Sequence, residues 1–153
     1  MADDAKKLQD SGIAAYQKKN YEQAIQLFNQ AADAFRAAGQ KDKAVEMQVN
    51  IGLVHRALGE NQQALDLMSA ALATFQDMGD ALRTAQVLGN MGGVYAALGD
   101  HEQAYSALCA GRRRVRGAGR EADARRHPRR DGHPASQGAQ VHPRRRDDGK
   151  GPR

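Results

Sequence analysis

A repeat with a period of 40 residues constrains the fold of this chain more than any other feature of its sequence. The residues that recur at this spacing are small or apolar: Gly12, Gly52 and Gly92; Ala24, Ala64 and Ala104; Phe28, Met68 and Leu108; Phe35 and Phe75; Gly39 and Gly79. Internal periods of this length are typical of folds in which one supersecondary unit stacks on the next. The chain is therefore predicted to be a linear array of similar units.

Each unit contains two segments with the periodicity of a helix. In "AVEMQVNIGLVHRALGE" apolar residues fall four positions apart at Val45, Val49, Leu53 and Ala57, which places them on one stripe. The next segment, "NQQALDLMSAALATFQDMG", has the same character and ends at Gly79. Equivalent segments predict helices over residues 2–19 and 21–38 in the first period, over 80–98 in the third, and from 101 onward. The predicted fold class is all-α, built from antiparallel helix pairs.

The glycines inside the first helix of each pair need a packing reason, because glycine in a helix interior costs about 1 kcal/mol relative to alanine. A close crossing supplies one, since a glycine that faces an alanine lets two helix backbones approach without a clash. Repeat packing is accordingly assigned to Gly12, Gly52, Gly92, Ala24, Ala64 and Ala104. Phe28, Phe35, Met68 and Phe75 lie at core spacing and are predicted to be buried.

The stretches "NIGLVHRALGENQQALDLMSAAL" and "NMGGVYAALGDHEQAYSAL" resemble tetratricopeptide repeats, with the glycine, the Leu-Gly turn and the alanine in the family's order. The usual repeat has about 34 residues, and these longer ones resemble the subclass found in kinesin light chains and cell-polarity scaffolds. The resemblance implies a right-handed solenoid over residues 1–110, with repeats at about 2–40, 41–79 and 80–110, the last incomplete. The first repeat departs from the pattern, with "KKN" where the others have "LGE" and "LGD".

The resemblance also implies a peptide-binding groove on the concave side of the array, lined by the first helix of each pair. Carried over position by position, this groove comprises Lys6, Gln9, Asp10, Ile13 and Tyr16; Glu46, Val49, Asn50, Leu53 and Arg56; and Gln86, Gly89, Asn90, Gly93 and Ala96. In the long-repeat subclass an asparagine at the position of Asn50 and Asn90 often holds a ligand backbone, because its amide matches a peptide unit. The alternative is that each asparagine bonds a neighbouring helix or water. Lys6 and Arg56 would either attract acidic partners or be solvated.

No pattern of catalytic residues is present. A Gly-rich phosphate loop, a nucleophile elbow and paired carboxylates are absent from the sequence, and Cys109 has no evident base. His55 and His101 lack further ligands at metal spacing and are assigned surface or packing roles. A non-catalytic chain with no cofactor, metal or small-molecule substrate is therefore expected. The single cysteine, and the lack of a secretory signal or an apolar run of about 18 residues, predict a soluble cytoplasmic protein with no membrane partner.

The composition changes abruptly near residue 110. Residues 1–110 carry 9 Lys and Arg against 13 Asp and Glu, a net charge of −4, whereas residues 111–153 carry 14 against 5, a net charge of +9. No Leu, Ile, Met, Phe or Tyr follows Leu108, and all four prolines lie in the second part. Such a segment buries too little apolar surface to offset the entropy of ordering it. Residues 111–153 are therefore predicted to be a disordered basic tail.

A functional interpretation of this tail is that it binds nucleic acid or another polyanion, since arginine clusters attract phosphates. The tail offers no aromatic residue for base stacking, which disfavours nucleic acid. Its His-Pro pairs at His127, His133 and His142 make a poor metal site without supporting partners.

A third interpretation is that residues 111–153 are a fourth repeat translated out of frame. Read one base later, Asp-Gly codons give Met or Thr at position 131, in register with Met91. Arg-Arg codons admit Ala at position 144, in register with Ala104, and Val-Arg codons admit Phe at position 115, in register with Phe75. In this interpretation the frameshift lies between Tyr105 and Gly111. The positive charge of the tail is then not evidence of a function.

The sequence thus predicts a protein–protein interaction scaffold, a piece of a longer repeat protein, that binds a peptide along residues 46–56 and 86–97. Polyanion binding through the basic tail is the alternative. If the frame slipped, the array ends without a polar cap, and the apolar face left exposed predicts marginal stability or self-association.

Overall fold

The computed structural model describes residues 2–126, and over this range the chain consists of helices joined by short turns. The helices are α1 (Ala2–Gln17), α2 (Tyr21–Ala37), α3 (Lys41–Ala57), α4 (Asn61–Asp77), α5 (Ala81–Ala97) and α6 (His101–Arg126). They form the antiparallel pairs α1–α2, α3–α4 and α5–α6, and each helix packs against the next along the chain. The predictions of an all-α fold and of paired helices are confirmed.

The turn after α3 shows how one helix ends and the next begins. Gly59 adopts a φ of 81° and donates a backbone hydrogen bond to the carbonyl of Arg56 at 3.0 Å. Glu60 donates to the carbonyl of His55 at 2.8 Å, and its own carbonyl accepts the first hydrogen bond of α4 from Ala64. This Schellman arrangement requires a left-handed residue, which is why glycine stands at the turn.

The first turn uses a different residue for the same task. Glycines occupy the left-handed position of the other turns: Gly39, Gly59, Gly79 and Gly99. In the first repeat Lys19 adopts it, with a φ of 62°. The "KKN" departure therefore leaves a side chain in a backbone conformation that glycine adopts at lower cost.

The core lies between the helices, and the four large side chains predicted to be buried are confirmed there: Phe28, Phe35, Met68 and Phe75 are each exposed by 2% or less. In the second and third pairs the repeat glycine lies next to the backbone of the partner helix. A Cβ built on Gly52 would lie 3.4 Å from the carbonyl oxygen of Ala64, and one built on Gly92 would lie 3.2 Å from that of Ala104. At Gly12 the nearest atoms belong to the ring of Phe28 instead, at 2.7 Å.

The last helix is longer than its counterparts. α2 and α4 have 17 residues each, whereas α6 has 26 and continues through Gly117 and Gly119 to Arg126. Residues 111–126 are thus helical, and the predicted start of a disordered tail at residue 111 is wrong. The arginines and alanines of this stretch have high helix propensity, and Gly111 is buried where a Cβ would lie 3.1 Å from the carbonyl oxygen of Ala85 in α5. Residues 127–153, with the His-Pro pairs and most of the suggested fourth repeat, lie outside the described residues.

Candidate functional site

A polar cleft of about 380 Å³ lies between α3 and α5. Its lining comes from three helices: Glu46, Val49 and Asn50 of α3; Phe75 of α4; and Arg83, Gln86, Val87 and Asn90 of α5. The spacings of three and four residues within α3 and within α5 place these side chains on one face of each helix. The cleft therefore brings together Glu46, Val49, Asn50, Gln86 and Asn90 from the groove suggested by the sequence.

A second, more apolar cleft of about 190 Å³ adjoins the first. Ile13, Tyr16, Phe28, Asn50 and Leu53 line it, so Asn50 borders both clefts. Ile13 and Tyr16 are each 38% exposed. The face formed by α1, α3 and α5 thus carries an apolar depression and a polar one side by side.

The amides of the two asparagines keep their hydrogen-bonding capacity. The Nδ2 atom of Asn50 lies 4.0 Å from the sulfur of Met47, which is a weak acceptor, so this contact uses little of it. The side chain of Asn90 has no hydrogen-bond partner among residues 2–126. Neither asparagine bonds a neighbouring helix in this part of the chain.

Arg83 is the residue around which the charges of the polar cleft are arranged. Its Nη1 atom lies 2.8 Å from Oδ2 of Asp80, and its Nη2 atom lies 3.3 Å from Oδ2 of Asp42. Oε2 of Glu46 is 3.5 Å from Nε of the same guanidinium. Three carboxylates surround one cation, so this end of the cleft carries a net negative charge.

The electrostatics of Asp80 and Arg83 are coupled. Burial raises the pKa of the Asp80 carboxyl, but hydrogen bonds from the backbone N–H and guanidinium of Arg83 outweigh that effect and hold the pKa below its ordinary value. The hydrogen bond to Asp80 raises the pKa of Arg83 in turn. Asp80 also caps α5, because its side chain accepts the backbone N–H of Arg83 at 2.9 Å.

Arg56 lies across the backbone of α5. A Cβ built on Gly93 would be 2.7 Å from Nη1 of Arg56. The guanidinium can therefore lie there only because Gly93 has no side chain. The remaining groove positions border neither cleft: Lys6, Asp10 and Ala96 are exposed, Gln9 is half-buried, and Gly89 faces a different groove, between α5 and α6.

The sequence-based prediction omitted Phe75, Arg83 and Val87 from the groove. Phe75 was predicted to be a core residue and Val87 was not singled out; each is 1% exposed. A signal for Arg83 was present, because Lys43 occupies the equivalent position one repeat earlier, and each cation follows a phenylalanine by eight residues. That comparison would have found the residue.

Within residues 2–126 no three His, Cys, Asp or Glu side chains are arranged to hold a metal ion. His55 is engaged with a single carboxylate, its Nδ1 atom lying 2.5 Å from Oε2 of Glu60. In the same range no helix combines the length and the apolar character that crossing a membrane requires.

The chain belongs to the tetratricopeptide repeat family. The family's model matches residues 4–77 and, in an overlapping second match, residues 43–116. The resemblance inferred from the Gly, Leu-Gly and Ala pattern is therefore confirmed. Tetratricopeptide repeats are generally protein–protein interaction scaffolds and are generally non-catalytic.

Among solved structures, the chain is similar to the crystal structure of BtubC (BKLC) from P. vanneervenii, with a TM-score of 0.64 and 21% sequence identity. The match covers 97% of this chain and 54% of that chain, so the present sequence spans about half of its length. A likeness at this identity shows the fold. Among curated proteins, none matches the sequence.

Proposed function

We propose that this chain is a non-catalytic scaffold that binds a peptide segment of a partner protein along the face formed by α1, α3 and α5. The observation that carries this proposal is the position of Asn50, which borders both clefts and whose amide makes only a weak contact within the protein. A ligand that crosses Asn50 reaches an apolar cleft on one side and a polar cleft on the other.

The chemistry of the clefts indicates what each part of the peptide contacts. The amides of Asn50 and Asn90 each offer two N–H donors and a carbonyl acceptor, which suits an extended backbone. Ile13, Tyr16 and Leu53 would receive an apolar side chain. At the other end, the net negative charge of the three carboxylates around Arg83 would favour a basic side chain of the ligand.

The proposal is tested by selecting peptides from a displayed library on the chain and measuring their affinity by calorimetry. Asn50→Ala and Asn90→Ala should each weaken binding about tenfold, because each leaves ligand backbone groups unpaired on binding. Asn29→Ala, an exposed site on the second helix of the first pair, is the matched control and should bind normally. Unchanged affinity in both groove variants would remove the asparagines from the site, and recovery of no peptide would reject the function.

We propose polyanion binding through α6 as a second candidate. The stretch from Arg112 to Arg126 carries seven arginines against Glu121 and Asp123, and all of these residues are exposed. Such a surface would bind heparin or RNA with an affinity that falls steeply with salt. Changing Arg112, Arg113, Arg114 and Arg116 to Gln should weaken this binding strongly, because only three of the seven arginines remain, and should leave peptide binding intact. If the RNA affinity of the fourfold variant equals that of the original chain, α6 is not the polyanion site.

Other predictions from the sequence stay predictions. We propose a cytoplasmic location on the strength of the single cysteine, which a fluorescent fusion would check. A partner protein as the ligand, and a longer repeat protein as the context, follow from the family and not from any particular contact. Self-association through the end of the array is tested by light scattering over a range of concentrations, although the charge of α6 opposes it.

A further inference from the structure

One face at the C-terminal end of the array is not covered as its interior counterparts are. Leu108 and Val115 of α6 are 47% and 50% exposed, whereas Met68 and Phe75, at the same positions one repeat earlier, are 0% and 1% exposed. This difference in exposure has a simple cause. The next helix, α5, packs against α4, whereas no helix among residues 2–126 packs against α6 in the same way. The missing neighbour leaves apolar surface in contact with solvent.

The uncovered face forms a groove of about 500 Å³ between α5 and α6. Leu82 and Ala85 of α5 and Leu108 and Val115 of α6 supply its apolar surface. Leu82 is 60% exposed at the start of α5. Contiguous apolar surface of this kind marks an interaction site more often than scattered exposed residues do.

Arg112 and Arg116 border the same groove. Neither forms an ion pair with any of the described residues 2–126, and the remainder of α6 after Val115 is also rich in arginine. A ligand that covers the apolar surface brings its flanks next to these guanidinium groups. Acidic side chains on those flanks would be attracted, and basic ones would be repelled.

A second copy of the chain does not meet these requirements. Two-fold pairing of α6 with its copy would set the same arginines against each other. Head-to-tail pairing would place the outward face of α1 on α6, and that face is polar: Asp4, Lys7 and Ser11 stand where α3 has Ala44, Met47 and Ile51. The residues beyond Arg126 contain no Leu, Ile, Met, Phe or Tyr to supply an apolar stripe.

We propose that the α5–α6 groove is a docking site for an amphipathic helix of a partner protein whose apolar stripe is flanked by Asp or Glu. The helix would cover α6 as α5 covers α4. A length like the 17 residues of α5, about 25 Å, suffices. This site meets the α1–α3–α5 face at Gln86, which lines both the polar cleft and this groove, but it takes a helix rather than an extended peptide.

The test uses three labelled synthetic peptides of about 18 residues, close to the length of one such helix. The first has Leu at helical spacing with Glu on both flanks, the second has the same Leu residues with Lys in place of Glu, and the third is a scrambled version of the first. Fluorescence anisotropy with the full chain should show the first peptide binding at least about tenfold more tightly than either of the others.

Variants of the chain locate the site. Leu82→Ala and Val115→Ala remove apolar surface and should each weaken the first peptide about fivefold to tenfold. Arg112→Gln and Arg116→Gln should weaken it about twofold to fivefold and flatten its salt dependence. The matched controls are Leu58→Ala, at a residue 47% exposed outside the groove, and Arg114→Gln, both of which should bind normally. Circular dichroism checks that each variant is folded. We expect all of them to fold, because the substituted side chains are about half exposed or more.

Three results would overturn the proposal. Equal binding of the scrambled peptide would show that α6 attracts any polyanion. Equal binding of the Lys peptide would show that the arginines do not select the ligand. A dimer in light scattering that Val115→Ala converts to a monomer would show that a second copy covers the groove. Asn50→Ala should leave the first peptide's affinity unchanged, which separates this site from the proposed peptide groove.

Discussion

The guanidinium carbon of Arg83 lies 5.9 Å from the centre of the Phe75 ring. One repeat earlier the ammonium of Lys43 lies 5.5 Å from the centre of the Phe35 ring. In both places a cation from the first helix of one pair covers the aromatic residue near the end of the preceding pair, an arrangement that adds an electrostatic attraction to the packing. At the end of the array Val115 takes the aromatic position, so this junction is not repeated.

Replacing Arg83 should weaken the packing between the second and third helix pairs. Arg83→Met keeps the apolar stem but removes the cation–π contact and the ion pairs, and it should lower the free energy of unfolding by about 1–2 kcal/mol. Urea denaturation measures the change. Arg36→Met is the matched control, because the Arg36–Asp33 pair is on the surface and should contribute less than about 0.5 kcal/mol. Equal losses in the two variants would contradict a special role for Arg83.

The Asp80–Arg83 pair should make part of the stability depend on pH. Because the pKa of Asp80 is lower in the folded chain, its contribution is present above the ordinary carboxyl pKa of about 4 and is lost as the pH falls through the lowered folded-state value. Asp80→Asn keeps the cap on α5 and removes the charge. The difference in unfolding free energy between the original chain and this variant should therefore shrink as the pH falls from 5 toward about 2. A difference that is constant over this range would exclude the charge as its source.

The repeat glycines should respond differently to alanine. At Gly12 the added Cβ would lie 2.7 Å from the buried ring of Phe28, whereas at Gly52 its nearest contacts are at 3.3 Å. Gly12→Ala should therefore destabilise the chain by about 1–3 kcal/mol, and Gly52→Ala should be close to neutral because the gain in helix propensity offsets the tight contact. Gly89→Ala meets no atom within 4 Å and should stabilise α5 by about 0.5–1 kcal/mol. Thermal unfolding ranks the three, and a different order would contradict the packing described.

Glycine should be preferred to lysine at the first turn. Lys19→Gly relieves a left-handed conformation and should raise the free energy of unfolding by about 0.5–1 kcal/mol. Lys18→Gly changes the neighbouring residue, which has no positive φ, and should give no gain. Chemical denaturation measures the free energy of unfolding of the two variants. Equal changes in this free energy would mean that the conformation of Lys19 is not strained.

The reading frame of residues 111–153 is open to a direct check. If this segment is a fourth repeat out of frame, the coding DNA read one base later should be free of stops and should encode Ala at position 144 in register with Ala104. A stop codon, or no repeat pattern, would reject the interpretation. The docking proposal concerns the present polypeptide, and a fourth repeat in frame would cover the same groove within one chain.

The parts of the fold that depend on local sequence could be predicted. Helix pairs and their ends follow from apolar spacing and from glycines such as Gly59 and Gly99, because a Schellman turn is decided within six residues. The length of α6 could not be predicted in this way. The low apolar content after residue 110 indicates disorder, whereas helix propensity and the contact at Gly111 favour a helix.

The candidate site was accessible to prediction only in part. The groove positions on α3 were carried over from a family pattern that places one face of each first helix on the concave side. The contact of Arg56 with the backbone at Gly93 depends on how far α3 and α5 are separated, which no periodicity in the sequence encodes. Arg83 was missed for a related reason, because its partners Asp42 and Glu46 belong to the preceding repeat.

The outward face of α1 carries Asp4, Lys7 and Ser11 at positions whose equivalents in α3 and α5 are buried between repeats. Because α1 is synthesised before α2–α6, this polar face leaves little apolar surface that could aggregate before those helices fold. Each later helix pair then packs on the apolar surface of the pair that precedes it. We therefore expect folding during translation to proceed from α1 toward α6. The largest exposed apolar surface would then lie on the most recently synthesised helix pair, where chaperones would be needed most.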